Sequence, residues 1–186
     1  PMTIGAITNR PQYMRNTLFL NRGDNTYAEI AQYGGVQASE WSWSPLFLDV
    51  DLDGYEDILV VTGHYYDAMD ADVQSDLKTM NFSRYSQLQS EVFAYNRLAT
   101  RDFIFKNKGD LTFEEVGKSW GFSSEDISHG MALADFDNDG DLDVVINRLE
   151  SEAGIYRNDS SAPRIAVRLK GDSPNTQGIG AKVKLL

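Results

Sequence analysis

Nine residues, Asp135-Phe136-Asp137-Asn138-Asp139-Gly140-Asp141-Leu142-Asp143, restrict this chain more than any other stretch, and a second copy stands at Asp49-Val50-Asp51-Leu52-Asp53-Gly54-Tyr55-Glu56-Asp57. Carboxylates at loop positions one, three and five, with glycine at six, let a short loop aim hard oxygen ligands at one point. Calcium takes about six to eight such ligands. The expected ligands in the first copy are Asp49, Asp51, Asp53, the backbone carbonyl of Tyr55 and Asp57. In the second they are Asp135, Asp137, Asp139, the carbonyl of Asp141 and Asp143. Position twelve, where a helix-loop-helix calcium motif carries a bidentate Glu, is Val60 or Ile146. Each loop instead runs into a short apolar segment, Ile58-Leu59-Val60-Val61 or Val144-Val145-Ile146, which reads as a buried strand. A metal-free, solvated Asp/Gly turn is the alternative, but the ten acidic residues of the two loops, Glu56 included, would then repel one another with no cation to offset them.

The formal charge is -11, which two bound calcium ions would reduce to -7. A negative balance without Lys/Arg clusters argues against nucleic acid and anionic membranes as partners. With no cysteine there is no disulfide framework and no thiolate site. Weak calcium loops are useful chiefly where calcium is plentiful, so the expected location is extracellular, secreted or at the cell surface. No apolar run reaches membrane-spanning length. Both ends, Pro1-Met2-Thr3 and Val183-Lys184-Leu185-Leu186, look cut from a longer protein, so the absence of a signal peptide carries little weight.

Laying Asn21 to Ile58 over Asn107 to Val144 gives a gapless repeat at an offset of 86 residues. A third start, Ile155-Tyr156-Arg157-Asn158, matches Ile104-Phe105-Lys106-Asn107 at an offset of 51. The basic unit is therefore 51 residues, and the surplus of 35 marks an insertion at about 64–100. Each unit reads as four short strands: a hairpin such as Thr17 to Ile30, or Phe103 to Val116, and then the acidic loop with a strand on either side. Repeats of this size and strand count are what the blades of a β-propeller look like. The expected fold is all-β, with propeller blades of four-stranded antiparallel sheets forming a partial propeller, because parts of about three blades cannot close a ring.

Within the insertion, Val73, Leu77 and Met80 suggest a short helix, and Tyr85, Leu88, Val92 and Tyr95 a second over Arg84 to Leu98. Their expected job is to cap the sheet with an apolar stripe. Beyond Asn158 the composition shifts, so residues 1–159 are assigned to blades and 160–186 to the start of a separate β domain. Arg164 to Lys170 and Ala181 to Leu185 read there as hairpin partners.

The two loops, together with hairpins such as Asn107-Lys108-Gly109-Asp110-Leu111-Thr112-Phe113, resemble the FG-GAP or VCBS repeats of integrin-α-like β-propellers, over nearly Leu18 to Asn158. The tail Asn175-Thr176-Gln177-Gly178-Ile179-Gly180-Ala181-Lys182-Val183 is similar to the start of an ASPIC/UnbV domain, found after such repeats in cartilage-acidic-protein-like proteins. The resemblance implies a secreted or surface calcium-binding propeller, with two calcium ions on the loop residues named above and no catalytic residues. The long insertion departs from the family pattern.

Other motifs have plainer readings. Arg22-Gly23-Asp24 spells an integrin-binding tripeptide, yet Lys108-Gly109-Asp110 holds the same place in the next unit, so the repeat itself calls for Gly-Asp in a turn. Asn81-Phe82-Ser83 and Asn158-Asp159-Ser160 are glycosylation sequons. His64 with Asp67, Asp70 and Asp72 could make a transition-metal site, although a His after a strand is more often a turn residue. The functional expectation is a non-enzymatic binding, adhesion or scaffold module with structural calcium, completed by further blades of the same protein or of neighbouring chains. A protein or glycan ligand would sit beside His64, Tyr65, Tyr66, Trp41 and Trp43, since clustered rings offer large contact area at low entropy cost. The alternative is part of a secreted polysaccharide-processing enzyme with its active site in the insertion or in a missing domain.

Overall fold

Short β-branched and aromatic runs punctuated by Asn, Asp and Gly favour strands joined by tight turns. The computed structural model describes residues 14–79, 95–163, 165 and 167–184. In chain order its elements are β1 (Phe19–Asn21), β2 (Tyr27–Glu29), α1 (Ala31–Gly34), β3 (Ser42–Leu48), β4 (Asp57–Thr62) and α2 (Ala71–Thr79). They continue with β5 (Thr100–Arg101), β6 (Phe103–Asn107), β7 (Phe113–Glu115), β8 (Glu125–Asp126), β9 (Ser128–Ala134), β10 (Asp143–Arg148) and β11 (Gly154–Tyr156). All the strand pairs among the described residues are antiparallel, and the fold is all-β.

The main sheet runs β3-β4-β6-β7, so the strands flanking the first acidic loop join the hairpin of the following unit. A second sheet, β9-β10-β11, repeats the arrangement around the second loop. The registers coincide: Ile58 pairs with Phe105 and, 86 and 51 residues on, Val144 pairs with Tyr156. The sequence unit therefore begins in one sheet and ends in the next, and adjacent sheets are tied covalently through every hairpin. The hairpin β1-β2 holds the place of β6-β7 without a loop-strand pair beside it among the described residues.

Every residue of β4 is buried, because layers cover both faces of the main sheet. On one face Leu59, Val61, Ile104 and Leu48 meet Val144, Ile146 and Phe122. On the other, Ile58, Val60, Phe103 and Phe105 meet Ala31 and Val36, with Leu18 and Phe113 packed alongside. Leu59, Val61 and Ile146 are fully buried, each contributing about 1.5–3 kcal/mol relative to exposure. The expected buried strands at 58–61 and 144–146 are thus the central strands of the two sheets.

The repeated Asn-x-Gly-Asp-x-Thr hairpin is explained atom by atom. Asn21 Oδ1 accepts from Gly23 N at 2.8 Å, and Asn107 Oδ1 accepts from Gly109 N at 2.9 Å. Asp24 Oδ1 accepts from both the backbone N and the hydroxyl of Thr26, and Asp110 does the same with Thr112. These Thr hydroxyls, and then the Thr backbone N–H groups, hold both carboxyls below the usual range. Gly23-Asp24 is thus a turn element, as the parallel with Gly109-Asp110 implies. The repeat also reaches further back than Asn21: Arg15 pairs with Glu29 at 2.7 Å, and Arg101 with Glu115 at 2.8 Å, again 86 residues apart. Arg15 and backbone donors at Ala31 and Leu18 lower the Glu29 pKa to about 2.

Asp102 joins the two sheets. Its Oδ1 accepts from Thr62 N at 2.9 Å, its Oδ2 from Ser128 Oγ at 3.1 Å, and the residue is fully buried. Burial pushes its pKa up to about 6, against the two hydrogen bonds and the Arg148 charge. Between about pH 4 and 6 the folded chain therefore holds more protons than the unfolded one, and this group's contribution to stability falls as pH rises through that window. The equivalent residue one unit earlier is Asn16, whose Oδ1 accepts from Ser42 Oγ at 3.4 Å. Asp102→Asn should accordingly fold and give a flatter stability profile over that window. Urea unfolding at stepped pH checks this, and an unchanged slope would contradict it.

Two expectations are corrected. The short helix in the insertion forms as α2, but none of its residues is buried, so it does not cap the sheet with an apolar stripe. Its surface is too polar to repay docking, with Asp72, Gln74, Asp76 and Lys78 among nine residues. The second expected helix, along with Met80 and Asn81-Phe82-Ser83, lies outside the described residues except for its end at 95–98, which is a bend followed by a bridge from Leu98 to His64. In the tail, the described residues of the hairpin expected over Arg164 to Lys170 and Ala181 to Leu185 form no strand, and the chain between them is irregular with turns. Ile165 and Val167 are exposed there, and an isolated hairpin with an uncovered apolar face is marginal in water. The helical turn α1 was not expected; it ends at Gly35, left-handed at φ 78°.

Two acidic loops as candidate metal sites

Each acidic loop connects two neighbouring strands of one sheet, β3 to β4 and β9 to β10. The chain reverses within so few residues only by entering the left-handed region twice, at Leu52 (φ 60°) and Gly54 (φ 93°), and at Asn138 (φ 60°) and Gly140 (φ 96°). The first carboxylate holds the turn from inside. Asp49 accepts from Asp53 N at 3.0 Å and Gly54 N at 2.9 Å, and Asp135 accepts from Gly140 N at 3.1 Å. Asp53 Oδ1 then accepts from Tyr55 N at 3.0 Å, and Asp139 Oδ1 from Asp141 N at 3.1 Å.

Carboxylate oxygens of Asp49, Asp51 and Asp53 lie within 4.8 Å of one another, as do those of Asp135, Asp137 and Asp143. Asp51 Oδ1 and Asp135 Oδ1 are buried without a hydrogen-bond partner. A buried charged oxygen lacking a donor is costly, and a hard cation is the kind of group that would satisfy it. The donor sets therefore fit a calcium ion.

The two position-nine residues do more than the sequence suggested. Asp57 Oδ2 accepts from Val50 N at 3.0 Å, and Oδ1 from Asn107 N at 2.8 Å. Asp143 repeats this with Phe136 N and Asn158 N, both at 2.8 Å. Each closes its own loop and ties it to the first residue of the next turn. The two loops differ in which carboxylates converge: Asp57 lies outside the group of Asp49, Asp51 and Asp53, whereas Asp143 rather than Asp139 stands with Asp135 and Asp137. Burial, together with the charges of Asp53 and Asp49, raises the Asp57 pKa against those two hydrogen bonds.

Sequence reasoning missed the asparagine hooks and the cations beside them. Asn107 Nδ2 donates to Glu56 O at 3.0 Å, and Asn158 Nδ2 to Val50 O at 2.9 Å. The recurrence of Asn at 107 and 158 was the available signal. Because the Asn158 amide is bonded to Val50, the sequon at 158 is spoken for in this fold.

Away from the loops, the aromatic residues expected to gather do so. Trp41 and Trp43 lie 4.5 and 6.2 Å from His64, and Trp43 meets His129 edge-on at 4.8 Å. Tyr65 packs on Tyr66 at 4.3 Å, and Arg97 lies over Tyr65. The transition-metal set is not assembled. His64 Nδ1 is engaged with Tyr66, Asp67 Oδ1 accepts from Met69 N, and Asp70 Oδ1 accepts from Asp72 and Val73 N at the start of α2.

FG-GAP-like repeat sequences match residues 6–60 and 89–146, and the ends of the two matches lie 86 residues apart, as the loops do. The chain belongs to the FG-GAP-like repeat family. Among individual proteins it is similar to cartilage acidic protein 1 of Xenopus tropicalis, 41% identical over 59 residues. That match covers 30% of this chain and 9% of the relative's length. No described helix is long and apolar enough to cross a membrane.

Proposed function

We propose that this chain is a calcium-stabilised part of an extracellular β-propeller that serves as a binding, adhesion or scaffold module and carries out no chemistry itself. The observation that carries the reading is a buried, partnerless carboxylate oxygen in each loop, Asp51 Oδ1 in the first and Asp135 Oδ1 in the second, within the acidic cluster that each loop assembles. In this reading Asp49, Asp51, Asp53, the Tyr55 carbonyl and Asp57 hold one ion, and Asp135, Asp137, Asp139, the Asp141 carbonyl and Asp143 the other. Calcium supplies positive charge and coordination that relieve the repulsion within each loop. Each ligand set comes from one contiguous loop, as suits a fold-stabilising site.

The four-stranded sheet β3-β4-β6-β7 would be one blade, and β9-β10-β11 most of another. Further blades, from the same protein or from neighbouring chains, would flank them. Residues 160–186 would begin an ASPIC/UnbV-like domain, whose apolar positions at Ile165 and Val167 await a partner surface. Secretion or surface display accords with the family and with the cartilage protein. A protein or glycan partner would meet the Trp41, Trp43, His64, Tyr65 and Tyr66 cluster, where Trp43 is 46% exposed.

Calorimetric titration with calcium tests this reading. Two sites are expected, with Asp53→Ala and Asp139→Ala each abolishing one. Magnesium should substitute poorly, because it demands a tighter octahedron and gives up water reluctantly. Absence of binding, or binding that survives both substitutions together, would overturn it.

A further inference from the structure

The repeat puts a basic residue immediately before each asparagine hook, and the two copies use it differently. Lys106, on β6, directs its ammonium between Asp51 Oδ2, with which it is in direct contact, and Asp53 Oδ2 at 3.1 Å. Arg157, 51 residues on, is 2.8 Å from Asp159 Oδ1 and only 3.9 Å from Asp137 Oδ2. The difference has a source in the sequence. Two residues beyond Arg157 stands Asp159, outside the loop, whereas two residues beyond Lys106 stands Lys108. Arg157 therefore has an external carboxylate to hold its charge. Lys106 has a like charge there instead, and turns into the loop.

We propose that Lys106 is a tethered cation that competes with calcium for the first loop, so that the two sites differ in affinity and the first fills only at higher calcium. The inference rests on the calcium reading above. Asp51 and Asp53 cannot serve the ion fully while they hold the ammonium, so binding there requires Lys106 to withdraw. It has somewhere to go, since the ammonium already lies 5.7 Å from the Trp120 ring, an electron-rich face that attracts cations. Even after withdrawal, a unit charge about 6 Å from a divalent ion, screened as in water, weakens binding by about tenfold. At low calcium the same ammonium offsets the repulsion of Asp51 and Asp53, so the first loop keeps its shape when empty.

The test is calcium titration by calorimetry of the whole chain as wild type, Lys106→Gln, Lys106→Arg and Asp53→Ala. The wild type should show two constants about tenfold apart, and Asp53→Ala should lose the weaker. Lys106→Gln should tighten the weaker about tenfold and leave the stronger unchanged, while Lys106→Arg, which keeps the charge, should leave both near wild type. Two binding events with constants unmoved by Lys106→Gln, or loss of the tighter event in Asp53→Ala, would overturn this inference and leave the calcium reading standing. Absence of binding in all four chains would overturn both. Should Asp53→Ala fail to fold, the comparison of wild type with Lys106→Gln still decides the matter.

Discussion

Asp57→Ala is expected to lower the free energy of unfolding in chelator by about 3 kcal/mol, before any loss of calcium adds to it. The carboxylate is fully buried and accepts from two backbone N–H groups, Val50 at 3.0 Å and Asn107 at 2.8 Å, which follow β3 and end β6, the two strands flanking β4 in the main sheet. Alanine leaves both donors without an acceptor, and each charge-assisted bond of this kind is worth about 1.5–3 kcal/mol. Part of that loss is offset, because the buried carboxylate is itself poorly solvated, as its raised pKa reflects. Asp57→Asn keeps one acceptor oxygen but turns an NH2 toward the other donor, and should lose about half as much. Urea unfolding in chelator separates this clasp from any effect of metal; a loss below about 1 kcal/mol there would contradict the assignment.

Gly63→Ala should cost at least as much, about 3–5 kcal/mol, for a steric reason. Gly63 sits at φ 118°, a conformation that side chains rarely adopt, and an added Cβ would lie 2.6 Å from Asp126 O and 2.7 Å from Ile127 Cα. Both are backbone atoms, at the end of β8 and just before β9, so no side chain can move aside. The damage should spread to the aromatic cluster, because Gly63 O accepts the indole N–H of Trp43 and Gly63 N donates to Trp41 O at 3.2 Å. Near-ultraviolet circular dichroism would report the loosened tryptophans, and thermal unfolding the lost stability. Gly121→Ala is the control: φ is 77° but nothing lies within 4 Å, so only the strain of the left-handed backbone, about 1–2 kcal/mol, should appear. Equal losses at the two positions would refute the steric argument.

How much of this could be read from residues alone follows the range of the interaction. Turn chemistry is local, so the acidic loops, the Gly-Asp hairpins and the apolar strands after each loop were legible at once. Sheet membership is not local: nothing within Phe103–Asn107 says that it pairs with β4 across an insertion, although the offset of 51 residues pointed to it. The backbone clasp made by Asp57 and Asp143 was hidden because a carboxylate placed to bind metal and one that clasps backbone look the same in a sequence. Lys106 was invisible for a related reason, since only the fold brings it to Asp51, 55 residues away. The tail failed differently. Alternation at Ile165, Val167 and Leu169 is a true strand pattern, but without a covering surface among the described residues it forms no sheet.

Thermal unfolding of the wild type, Asp53→Ala and Asp139→Ala, each with calcium, with magnesium and with chelator, tests most directly whether calcium holds this fold together. If ambient calcium is about ten times each dissociation constant, mass action adds about 1.4 kcal/mol per site and roughly 3 for two. Against the roughly 5–15 kcal/mol that holds a typical domain, that is a large share. The wild type should melt clearly higher in calcium than in magnesium or chelator, and each substitution should remove about half of that difference. Coincident melting curves in all three conditions would contradict the calcium assignment and the function built on it.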